Sequence, residues 1–213
     1  MKEKIIVIFL IFSAFGLNAQ NNISVDEVIS FLLKYTSTNI NFDSGNQGNI
    51  LHNSEVISLF SETLINRNTY SQEQRNDLRK RAFEGLRENT RSAEDSAHLR
   101  RLTWRRMIMN MTLALLSAGN GEYSHFLSVA LSDIQSVYAI TDFPIGFNRL
   151  KVLIKLVEII ILLERNSPHV GVEINSLVEF IIENDFVNEF GNVSLIEFQN
   201  EFLNDLFVIF SIN

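Results

Sequence analysis

Along this chain apolar residues recur three and four positions apart, the spacing of one helix face, and nowhere alternate as in a half-buried strand. The pattern predicts helices near 25 to 37, 54 to 67, 72 to 90, 93 to 118, 124 to 141, 145 to 165, 173 to 184 and 195 to 211. Four of these begin at a serine followed three residues later by Glu, Asp or Gln: Ser24/Glu27, Ser71/Gln74, Ser92/Asp95 and Ser194/Glu197. In such a box each side chain satisfies a backbone N–H that the first turn leaves open. The breaks agree: "FDSGNQGN" follows the first helix, "AGNG" ends the fourth, Pro144 opens the sixth and "NSPHVG" closes it. An all-α helical bundle of about seven or eight helices follows from this count and the short connections.

Two segments are too apolar to be ordinary surface helices. In "HLRRLTWRRMIMNM", a step of about 100° per residue puts Arg100, Trp104, Met107, Ile108, Met111, Ala114, Leu115 and Ala118 on one face. Leu99, Leu102, Met109, Leu113 and Leu116 form a second strip. Burial on two sides is expected, with Trp104 in the core and Arg101, Arg105 and Arg106 emerging along polar seams. "VLIKLVEIIILL", Val152 to Leu163, is interrupted by Lys155 and Glu158 and falls well short of the roughly twenty apolar residues of a membrane span. It reads as a core helix.

The first twenty residues have a different logic. Two lysines, an apolar run from Ile5 to Leu17 and a small residue at Ala19 form the pattern of a secretory signal peptide. The expected organisation is a signal peptide at 1–19, a helix and Asn/Gly-rich linker at 20–50, and a bundle domain at 51–213. The expected location is secreted or extracellular, periplasmic if the source is bacterial, with no membrane attachment after cleavage. With no cysteine, the chain cannot be stapled by disulfides, and reliance on burial is expected, consistent with its 46% hydrophobic content and seventeen phenylalanines.

Charge is distributed unevenly. Between Arg67 and Arg106 eleven basic residues face six acidic, a local net of +5, whereas Val172 to Asn213 holds eight acidic residues and no Lys or Arg. Opposite faces that meet, within one chain or between copies, are the expectation. Arginines near a helix N-terminus oppose the macrodipole, so nearby carboxylates should compensate them; Glu94, Asp95 and the acidic C-terminal helices are the candidates. Nucleic acid is disfavoured by the net charge of −7, by export and by the lack of a binding motif.

No catalytic site is assigned. His52, His98, His125 and His169 are scattered, with no H-x-x-x-H spacing for zinc, and neither G-x-S-x-G nor a glycine-rich phosphate loop occurs. Carboxylate pairs at i, i+4, Glu84/Glu88 and Glu197/Glu201, read as solvated helix faces. No metal and no cofactor are expected.

One family pattern is carried by helix-boundary residues. "VISLFSETLINRNTYSQEQRNDL", Val56 to Leu78, resembles the first-to-second helix region of spider-silk protein (spidroin) N-terminal domains, through Ser58, Phe60, Tyr70, Ser71, Gln74, Asp77 and Leu78. "HLRRL" at His98 to Leu102 is similar to that family's Lys-Leu-x-x-Leu helix. "ALS" at Ala130 and "NRLKVLI" at Asn148 fall at the spacing of its last two helices. The resemblance covers about residues 54 to 163. The chain departs from it in its extra helices, in lacking a Trp in the first similar helix, and in having "MNMTLALL" where acidic residues are usual. It implies secretion and pH-triggered dimerisation through opposed charged faces, with Asp77 at the interface aspartate and His98 where a lysine serves.

The resulting expectation is a secreted, non-enzymatic helical domain that self-associates, as a homodimer or larger assembly, through opposed basic and acidic faces. Its interface residues are Asp77, His98, Arg100, Arg101, Arg105 and Arg106. The alternative is an exported bacterial helical binding protein or small hydrolase.

Overall fold

The computed structural model describes residues 23–37, 49–87, 96–141, 147–183 and 193–210. Among these residues it is all-helical: α1 Val25–Ser37, α2 Asn49–Asn66, α3 Gln72–Gly85, α4 Ser96–Leu116, α5 Tyr123–Thr141, α6 Phe147–Glu164, α7 Val170–Glu183 and α8 Val193–Ile209. The signal-peptide segment, the Asn/Gly-rich stretch at 41–48, the Ser92/Asp95 box, Glu94 and Pro144 lie outside the described residues.

Local chemistry accounts for two of the helix ends in detail. The Ser71/Gln74 box forms in full: the Gln74 N–H donates to Ser71 Oγ at 3.2 Å and the Ser71 N–H to Gln74 Oε1 at 2.8 Å. Ahead of it Tyr70 pins the α2–α3 turn by donating its hydroxyl to the Glu62 carbonyl at 2.9 Å. Burial of the phenol, and then the Glu62 charge, push the Tyr70 pKa up. At the end of α6, Asn166 takes a left-handed φ of 49°. The Ser167 N–H donates to the Leu162 carbonyl and the Asn166 N–H to that of Leu163, a Schellman closure with Asn in the place of glycine.

Several ends differ from the sequence expectation. α2 starts at Asn49, five residues before the expected 54. α3 stops at Gly85 rather than near 90. A Cβ at Gly85 would stand 2.9 Å from the Met109 sulfur, so glycine permits the close approach of α3 to α4 while ending the helix it weakens. α8 starts at Val193, placing Ser194 inside the first turn rather than ahead of it.

The chain divides into two compact units. The larger, Leu32–Glu158, is organised around α4, which packs most extensively along α5 and also against α2 and α3. Every residue from Met107 to Ser117 is buried, so α4 is enclosed all round there and not on two sides only. Its polar residues turn inward to their own backbone: Thr103, Asn110 and Thr112 each donate to the carbonyl four residues earlier, Leu99, Arg106 and Ile108. Asn110 is 2% exposed. Trp104, Met107 and Met111 are core residues. The α6 segment from Val152 to Val157 is buried except for Lys155, which reaches Glu158 at 2.8 Å.

The smaller unit gathers residues up to Phe31 and from Ile159 on. Val170, Ile174, Leu177, Val178 and Ile181 bury one stripe of α7. Phe31 of α1 meets Phe202 of α8 with ring centroids 5.0 Å apart. No helix among the described residues is long and apolar enough to cross a membrane.

Candidate interaction surface

Three contacts fix the register of α3 on α4. The Leu86 carbonyl accepts from Arg106 Nη1 at 3.3 Å, Gly85 faces Met109, and Arg79 Nη1 donates to Ser117 Oγ at 2.7 Å. Position rises along α4 as it falls along α3, so the two are antiparallel. Asp77, two residues before Arg79, therefore lies at the C-terminal end of α4, whereas Arg101 sits sixteen residues earlier, about 24 Å away at 1.5 Å per residue. Six residues expected to share one interface are thus not brought together: Asp77 is exposed at one end of α4, and His98, Arg100, Arg101, Arg105 and Arg106 are half-buried near the other.

The arginine end is occupied from within. Arg106 Nε donates to Asp133 Oδ2 of α5 at 2.9 Å while its Nη1 holds the Leu86 carbonyl, tying α4 to α5 and to the end of α3. Both side chains of the pair are 23% exposed, enough burial for the pairing to count. Asp133 was not among the expected carboxylate partners. The Nε atoms of Arg100 and Arg105 are shielded from solvent.

At the opposite end sits a second clamp that sequence reading did not single out. Arg79 bridges Ser117, the residue that closes α4, and Glu122 Oε2 at 3.0 Å. Asn120 donates to the same carboxylate oxygen at 2.9 Å and accepts from the Glu122 N–H, shaping a turn in which Gly121 takes φ +81°. One turn along α3, the Phe83 ring meets Phe126 of α5 edge-on at 6.0 Å, and His125 flanks Phe126 at 5.6 Å. Hydrogen bonds from Arg79 and then Asn120 hold the Glu122 carboxyl below its usual 4.5. A carboxylate lowered in this way stabilises the fold above its unfolded pKa and loses that contribution as pH falls through the lowered value. Glu122→Gln should therefore flatten the loss of thermal stability below about pH 4.5 relative to wild type. Identical acid limbs for the two proteins would show that the clamp contributes nothing measurable.

No protein-family model matches this chain, and no curated protein or solved structure matches it. The chemistry of the surface therefore rests on its own residues. Among the described residues no group of three or more His, Cys, Asp or Glu is placed to hold a metal ion.

With the α4 arginines half-buried, the solvent-facing cations among the described residues of the larger unit are Lys34 on α1, Lys80 and Arg81 on α3 and Arg87 just past its end. Only Leu78 and Ala82 of α3 are buried. In the smaller unit the exposed charged side chains of α7 and α8 include Glu179 and Glu183 on α7 and Glu201 on α8, and Arg165 ahead of α7 is exposed as well.

Proposed function

We propose that this protein is an exported, non-enzymatic helical domain that self-associates through opposed basic and acidic faces and serves as a structural assembly module. The supporting observation is the exposed acidic surface of α7 and α8, set against exposed cations at the end of α3. Lys80 and Arg81 on α3 and Arg87 just past its end are exposed, while Glu179, Glu183 and Glu201 face solvent in a C-terminal stretch that has no Lys or Arg. Such faces attract across a second copy at low ionic strength and are screened beyond about 10 Å at 0.1 M salt. Export rests on the signal-peptide pattern of the first twenty residues. A silk-type role rests on the resemblance carried by Tyr70, Ser71, Gln74 and Asp77, of which Asp77 is exposed as an interface residue must be.

Two differently tagged copies, mixed and captured through one tag, are expected to co-purify at low salt and to separate near about 0.5 M, where screening is shorter than one turn of helix. Recovery of the captured copy alone at every ionic strength would remove the basis for this reading.

A further inference from the structure

The turn between α4 and α5 holds a reactive dipeptide. Asn120–Gly121 is the only Asn-Gly pair in the chain, and both residues are exposed. Asparagine is a thermolabile residue because the backbone nitrogen of the next residue can attack its side-chain amide. Glycine hinders that attack least, having no Cβ beside the nitrogen.

The hydrogen bonds of the turn favour the reaction. The Glu122 N–H donates to Asn120 Oδ1 at 3.2 Å, which folds the side chain back over its own following peptide, where the Gly121 nitrogen lies. The same N–H stands at the oxygen on which negative charge develops when that nitrogen adds to Asn120 Cγ. Glu122 Oε2 accepts from Asn120 Nδ2 at 2.9 Å and so keeps Oδ1 turned toward the donor. Among the described residues the Gly121 N–H donates to no acceptor and is left to water. Two Asn-Ser pairs are built otherwise. The Ser167 N–H that follows Asn166 is held by the Leu162 carbonyl at 2.9 Å, and the Ser176 N–H that follows Asn175 lies inside α7.

We infer that Asn120 is a site of spontaneous deamidation, and that its conversion weakens the clamp between α3 and the α4–α5 turn. The Gly121 nitrogen gives its proton to hydroxide and bonds to Asn120 Cγ. The bond from Cγ to Nδ2 breaks, and ammonia leaves with a proton taken from water. A second water opens the resulting cyclic imide at either carbonyl. One opening leaves aspartate, and the other leaves isoaspartate, in which the backbone runs through the former side chain. Neither product donates to Glu122 Oε2, and both set a second carboxylate beside it. Glu122 is then held by Arg79 of α3 alone, with His125 of α5 the other titratable group acting on it.

Peptide mapping of the full chain, incubated folded and in concentrated urea in the same mildly alkaline buffer, reads the reaction. Asn120 is expected to convert ahead of Asn166 and Asn175, and at least as fast folded as in urea, because the turn presents the amide to its nucleophile. Slower conversion folded than in urea, or Asn166 or Asn175 converting first, would overturn the site. Asn120→Asp reads the effect on the clamp. This variant should melt below wild type at neutral pH, and the gap should close as pH falls through the carboxylate range and both acids are neutralised. Melting curves that coincide with wild type at every pH would overturn the weakening of the clamp.

Discussion

Replacing Ala114 with aspartate is expected to unfold the Leu32–Glu158 unit. Ala114 is fully buried midway along an eleven-residue stretch of α4 with no exposed residue. Met107, Ile108, Met111, Leu113 and Leu115 around it are each 1% exposed or less. A carboxylate there has neither water nor a cation. It must be neutralised at a cost or drive the helix out of the core, and the penalty of several kcal/mol approaches the whole stability of about 5–15 kcal/mol typical of a domain. The extra volume adds to this, because α3 approaches α4 as closely as Gly85 allows and leaves no slack on that side. The control is Ser128→Asp on the exposed side of α5, which should lie within about 0.5 kcal/mol of wild type. Circular dichroism melting of the two variants checks the pair. A cooperative, wild-type-like melt for Ala114→Asp would mean that α4 is not the central helix.

The second large effect is expected from Asp133→Ala. Removing this carboxylate leaves Arg106 in a half-buried place with only the Leu86 carbonyl, and a stranded charge costs more than a lost hydrogen bond. With both side chains at 23% exposure, solvent still offers some relief, so the loss should be about 2 kcal/mol rather than the 3–5 kcal/mol of a fully buried pair. Arg106→Leu keeps apolar contact while removing the charge, and the double variant should lose clearly less than the two single losses added together. Urea titrations of the four proteins measure this coupling. Additive losses would show that the 2.9 Å contact carries no energy of its own.

The helices were legible in the sequence because period and caps agree. The Ser71/Gln74 box is present in full, and the α1 and α5 boundaries follow the apolar period to within a residue. Legibility fails where tertiary contact decides. Gly85 ends α3 against Met109, a neighbour twenty-four residues away that no local pattern reveals. Arg106 of α4 does meet a carboxylate, but Asp133 was not among the expected partners because it belongs to the next helix. Folding α4 and α5 about Gly119 and Asn120 would have found it: Arg106 and Asp133 lie at equal chain distance on either side of that turn, as do Ser117 and Glu122. Asp77 shows the converse. The resemblance to spidroin N-terminal domains suggested that it shares one interface with the arginine segment, yet the antiparallel course of α3 carries it to the far end of α4.

Light scattering after size exclusion, over a range of concentrations at low and at high salt, tests the central claim that opposed charged faces join copies of this protein. The account predicts a mass above that of the monomer at low salt, rising with concentration, and a return to monomer once salt screens the exposed Lys80, Arg81 and Arg87 from Glu179 and Glu183. A single monomeric mass under all of these conditions would contradict it.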